Sequence, residues 1–177
     1  MKSYFDKFPD YTILVLGDVM IDSYLFGRVE RISPEAPVPV LAGEGRENRL
    51  GGAANVARNV QALGARPVLC SVTGQDDNGK ALVQLMEEAQ LPTDGIQHGP
   101  QRMTTTKTRI ISKKQQLLRI DREDDAPLSE GQEKRFIAHI RRLFGDFAFQ
   151  AVIFEDYDKG VITPGVIRET VALAQAQ

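Results

Sequence analysis

Gly51-Gly52-Ala53-Ala54-Asn55-Val56-Ala57, followed by Gly64 and then Gly74, is the stretch on which the reading of this 177-residue chain turns. The two glycines lead into a helix in which Val56, Val60 and Leu63 recur at i, i+4 and i+7, and Gly64 is the stop that a helix C-terminus favours. Upstream, residues 11–16 form a β-branched and aliphatic run closed by Gly17-Asp18, the pattern of a central strand buried on both faces. Downstream, residues 67–72 read as a second buried strand and 74–79 as a loop. Leu82, Leu85, Met86 and Ala89 then mark the apolar stripe of a helix ending before Pro92. Strand and helix alternate, as in an open α/β sheet.

Farther from that centre the character changes. Three prolines at positions 34, 37 and 39 exclude helix there, so residues 38–42 and 46–50 are expected as two strands at a sheet edge. Residues 104–111 and 116–120 are β-rich runs separated by Ser112-Lys113-Lys114, which predicts a hairpin. Ser129 with Gln132 forms a capping box for a helix carrying Phe136, Ile140, Leu143 and Phe144 on one stripe. Residues 151–154 make another buried strand, and Thr163-Pro164 opens a last helix. That helix reaches Gln177 without a stop signal, so the chain is expected to be cut short.

The length allows one domain over residues 1–177, and 42% apolar with 26% charged residues is ordinary for a soluble globular protein. With 22 Lys+Arg against 24 Asp+Glu, the net charge of −2 gives no positive field for a nucleic acid. Cys70 has no cysteine partner and is expected in the core. No apolar run spans a membrane and residues 1–10 carry Asp6, Lys7 and Asp10, so no membrane partner and a cytoplasmic location are expected.

Several clusters carry possible chemistry. Gly74-Gln75-Asp76-Asp77-Asn78-Gly79-Lys80-Ala81 has the glycine and lysine spacing of a phosphate loop. Ala81 stands where a magnesium-holding hydroxyl belongs, however, and two aspartates would repel a triphosphate, which favours a capped βα turn. Gly51 and Gly52 allow close backbone approach, and the Asn55 amide offers both donor and acceptor to a sugar hydroxyl. Asp18 and Asp22 are expected just past the first strand, where open sheets bind ligands; Asp18 reads as turn-forming and Asp22 as ligand-binding. Glu155-Asp156-Tyr157-Asp158-Lys159-Gly160 reads as either a site at a strand mouth or a polar surface loop. Lys107 and Arg109 share a hairpin face that Arg119 can join, as an anion site or as ordinary exposed charges. His98 and His139 lack partners at metal-ligand spacing, and no metal site is expected.

These residues resemble the ribokinase-like (PfkB) carbohydrate kinases: the double-glycine stretch through Asn55, Gly64 and Gly74, the Gly17-to-Asp22 opening, and the Gly74-to-Gly79 turn. Within that family the runs 17–22, 31–40, 115–121 and 156–160 are most similar to the heptose 7-phosphate kinases. The resemblance implies a ribokinase-like three-layer α/β/α fold with a small β-sheet lid, formed by residues 37–50 and 104–121 and often paired with a second copy. It implies a sugar phosphate substrate, with Asp22, Gly51, Gly52 and Asn55 at its hydroxyls and Glu155, Asp156 and Lys159 lining the pocket. Lys107, Arg109 and Arg119 are assigned to its phosphate from charge alone.

ATP and Mg2+ are the implied cofactors. The family's Gly-x-Gly-Asp, which carries the general base, has no counterpart here, since Gly145-Asp146 lacks the earlier glycine and falls at a predicted helix end. No catalytic residue is therefore expected in this chain, which reads as the sugar-binding half of a kinase. The alternatives are another sugar or nucleoside kinase of the family, or a non-catalytic sugar-binding or dimerising module.

Overall fold

In a computed structural model, which describes residues 4–177, a short 3-10 helix at Tyr4–Asp10 precedes twelve further elements. In order these are β1 (Thr12–Gly17), β2 (Val19–Ile32), β3 (Pro39–Gly52), α1 (Ala53–Ala62), β4 (Arg66–Gly74), α2 (Asp77–Glu88), β5 (Ile96–Gly99), β6 (Thr106–Ser112), β7 (Gln115–Arg122), α3 (Glu130–Asp146), β8 (Ala151–Glu155) and α4 (Pro164–Ala176). Residues 1–3 of the charged N-terminal stretch lie outside the described residues.

β1, β4, β5 and β8 form a parallel sheet of order β5-β4-β1-β8. The two-residue period of β1 divides the core. Ile13 and Val15 pack with Ala53, Ala57, Leu82 and Met86 from α1 and α2. Leu14 and Leu16 pack on the other side with Phe136, Ile140 and Leu143 of α3 and Val166 of α4. Helices on both faces of a parallel sheet require strands apolar throughout, which is why residues 11–16 and 67–72 lack alternation. Each fully buried Leu, Ile or Phe contributes about 1.5–3 kcal/mol of transfer free energy. Cys70 is one of these core residues, and burial pushes its thiol pKa up.

Three local expectations hold in detail. Ser129 accepts from the Gln132 backbone N–H while the Gln132 side chain accepts from Ser129 N–H, closing the capping box of α3. Thr163 caps α4 through Val166 N–H. Asp76 caps α2 by accepting from Gly79 N–H at 2.8 Å.

The lid differs from expectation in its centre. The second sheet has the order β3-β2-β6-β7, so β2, which sequence periodicity left unassigned, is one of its two inner strands. β2 pairs antiparallel with β3 and parallel with β6, and β6 pairs antiparallel with β7. The expected strands at 38–42 and 46–50 are one continuous strand, β3, and it lies at the sheet edge as the prolines require. The chain bridges Gly43 to Gly45 with a bulge opposite Phe26 and Gly27 instead of breaking. Val19, Met20 and Ile21 at the start of β2, and Leu50 to Gly52 at the end of β3, are buried in the core, so both strands run unbroken from core to lid.

Candidate functional site

The sharp turn from β1 to β2 is held by Asp18. Its side chain is buried and accepts three backbone N–H groups: Tyr157 at 2.9 Å, Lys159 at 3.1 Å and Val161 at 3.1 Å. Its own backbone carbonyl accepts from Ala53 N–H at the start of α1. Asp18 thus ties the glycine-led helix and the acidic loop after β8 to the mouth of β1. This is more than a local turn, because its partners lie about 140 positions away, as the 139-residue separation from Tyr157 shows. Arg102 reinforces the loop from behind, donating to the Lys159 and Ala126 carbonyls.

Gly52 adopts φ 56°, and a Cβ there would collide with the Asp18 carbonyl, so glycine is needed for the chain to enter α1. Gly51 answers a different constraint. A Cβ on it would stand 2.6 Å from Asp22 Oδ2, so its bare backbone makes room for that carboxylate.

Asp22 is not past the end of a strand, as its position after β1 suggests, but within β2, on the lid face shared with Gly51. Its cross-strand neighbours are Arg49 on β3 and Lys107 on β6. One residue pair farther out stand Glu47, Tyr24, Arg109 and Arg119 in a second row. Arg109 Nη1 donates to Asp22 Oδ1 at 2.5 Å, and this bond and its charge raise the Arg109 pKa. Arg119 Nε pairs with Asp121 Oδ1 at 2.9 Å, and Arg49 Nε with Glu47 Oε1 at 2.6 Å. Lys107 has no ion pair among the described residues. The three cations expected on one face are therefore present there, but two of them are partly neutralised by neighbouring carboxylates.

The loop after β8 approaches the same place. Burial raises the Tyr157 phenol pKa, and the carboxylates of Glu155, which also hydrogen-bonds it, and of Asp22 raise it further. Asp22, Glu155 and Tyr157 thus share one electrostatic neighbourhood. Asp156 turns outward and accepts from Asp158 N–H, and Lys159 is drawn to Glu123 at 3.4 Å. Asn55 is exposed in the first turn of α1, four residues after the glycine that touches Asp22. The candidate site lies where the lid meets the C-terminal ends of β1 and β8, with Asp22 on the lid side.

Tyr24, Arg49 and Tyr157 were not singled out from sequence. Residues 19–26 carry no breaker, and reading them as a strand would have put Tyr24 and Asp22 on one face. Arg49 precedes Gly51 by two and so shares its face. Among the described residues no helix is long and apolar enough to cross a membrane.

Comparison with known proteins places these features in a family. The model of the pfkB family carbohydrate kinases matches residues 11–159. The chain is 45% identical over 175 residues to the bifunctional protein HldE of Pelobacter propionicus, covering 99% of this chain and 36% of that protein. It is 47% identical over 171 residues to the HldE protein of Caulobacter sp. strain K31, covering 96% and 34%. The chain spans about a third of the length of these curated relatives. Among solved structures, phosphofructokinase-2 from Escherichia coli in complex with fructose-6-phosphate superposes with a TM-score of 0.63 at 20% identity, covering 94% of this chain and 52% of the other. A carbohydrate kinase from Agrobacterium tumefaciens gives a TM-score of 0.60 at 20% identity, covering 94% and 50%. These structural likenesses establish the ribokinase-like α/β fold.

Proposed function

Because the chain belongs to the pfkB family of carbohydrate kinases, we propose that it binds D-glycero-D-manno-heptose 7-phosphate for phosphorylation of the anomeric hydroxyl by ATP, toward activated heptose for cell-surface polysaccharide. The observation that carries this reading is Asp22: a carboxylate with a bare glycine backbone on one side, Arg109 on the other, and Tyr157 and Glu155 nearby. A carboxylate so placed accepts two hydroxyl hydrogen bonds from a polyol, and Asn55 supplies a donor and an acceptor from α1. Lys107, Arg109 and Arg119 give the same wall the cations that a sugar phosphate needs.

ATP supplies the transferred phosphoryl group and Mg2+ neutralises its charge in this chemistry. The residues of this chain do not fit that role. Gly145-Asp146 closes α3 rather than opening a helix, and the Gly74 to Lys80 turn is filled by its own Asp76 carboxylate. The part proposed for these residues is therefore sugar binding.

The lid is proposed to pair with a second copy. Leu25, Ile110 and Leu118 stand in cross-strand register on the face opposite Asp22, with Ile120 beside them, and Leu118 and Ile120 are 54% and 52% exposed.

Isothermal titration tests the substrate. Heptose 7-phosphate is expected to bind more tightly than fructose 6-phosphate or ribose, and Asp22→Asn to weaken it by about 10- to 100-fold, the loss of one charge-assisted bonding group. Equal binding of all three sugars, or an unchanged affinity in the variant, refutes the assignment.

A further inference from the structure

We propose that Arg49, rather than Arg119, is the guanidinium that reads the phosphate of the bound sugar phosphate, acting with Arg109 across the ring of Tyr24. This rests on the site being a sugar-phosphate site and names the group that selects for the phosphate.

Position is the first argument. Arg49 is the direct cross-strand neighbour of Asp22 on β3. Its backbone lies one strand spacing, ~4.8 Å, from that of Asp22. Arg119 lies on β7, two strands from β2 and one residue pair farther out. A phosphate a few bonds from the hydroxyls at Asp22 falls within reach of the nearer strand.

Preorganisation is the second. The guanidinium carbon of Arg49 lies 4.7 Å from the Tyr24 ring centroid, and that of Arg109 lies 5.3 Å from the same ring. Tyr24 in turn stacks on Phe26, with centroids 6.2 Å apart. A guanidinium resting on an aromatic ring gives up rotamer freedom before ligand arrives and keeps its in-plane N–H groups directed at an anion. Among the described residues Arg119 is held by Asp121 and by no aromatic ring.

Unspent donors are the third. Among the described residues Arg49 uses only Nε, on Glu47, so both terminal nitrogens remain for a bidentate contact. Arg109 has already committed Nη1 to Asp22. Arg49 is also half-exposed, at 52%, so its truncation is expected to leave the fold intact.

Titration of the protein with heptose 7-phosphate and with the same heptose lacking phosphate tests this. Arg49→Ala is expected to weaken the phosphorylated sugar by about 10- to 100-fold, to the affinity of the unphosphorylated one, whose binding stays unchanged. Arg49→Lys keeps the charge without the fork and is expected to fall between. Glu47→Gln removes the competing carboxylate and is expected to strengthen phosphate-dependent binding by up to about fivefold. Loss of phosphate discrimination in Arg119→Ala but not in Arg49→Ala overturns the inference and leaves the sugar-phosphate reading standing. Binding of neither sugar to the wild-type protein overturns both.

Discussion

Asp18 and Asp22 are four positions apart in one opening motif and do unlike things. Asp18 gathers three backbone donors and is closed to solvent, so it shapes the site without facing it. Asp18→Ala strands those N–H groups and should lower unfolding free energy by about 3 kcal/mol or more in urea titration; a loss under about 1 kcal/mol would contradict the role. Asp76 offers a pH test. Burial raises its pKa, but hydrogen bonds from Thr104 and from Gly79 N–H, together with the charge of Arg122, outweigh burial and hold it below the ordinary carboxylate value. A depressed folded-state pKa contributes stability that is fully present above the unfolded value, about 3.9, and is lost as pH falls through the folded one. Thermal midpoints of wild type should therefore fall more steeply below about pH 4 than those of Asp76→Asn; parallel curves would exclude Asp76 as a source of acid sensitivity.

Elements whose signals are local were legible in the sequence. The box that opens α3 needs only Ser129 and Gln132, and Ser129→Ala should cost about 1 kcal/mol by chemical denaturation. The hairpin of β6 and β7 follows from its two β-rich runs, whereas the positive φ of Lys113 and Lys114 in its turn does not, since lysine disfavours that region. β2 was not legible, because residues 19–32 hold no steady two-residue period, three apolar residues being followed by Asp22 and Ser23, and only pairing with β3 and β6 makes it a strand. β5 has four residues and one large apolar side chain, too short for any period. In the site, Gly51, Gly52 and Asp22 could be read from the motif. The bond from Arg109 to Asp22 could not, since it joins strands 87 residues apart in a parallel pairing that no local pattern announces.

For the whole molecule, the two sheets present different faces to their surroundings. The parallel sheet is covered on both sides by helices, whereas the lid carries charged residues on the Asp22 face and Leu25, Ile110, Leu118 and Ile120 on the other. If that second face pairs two copies, Leu118→Glu with Ile120→Glu should convert a dimer to a monomer in light scattering while leaving the thermal midpoint nearly unchanged. A wild-type monomer at high concentration would rule the pairing out.

The lid has a mechanical property that follows from how it is rooted. Its two longest ribbons emerge from the packed interior without a loop at their base, so there is no hinge about which the sheet can swing. Displacement of the far end has to be absorbed as twist along the ribbons, most easily where the pairing slips beside Gly27 and Gly43. The lid is in effect a cantilever, and a load applied at its tip arrives as strain at the Asp22 carboxylate near its root.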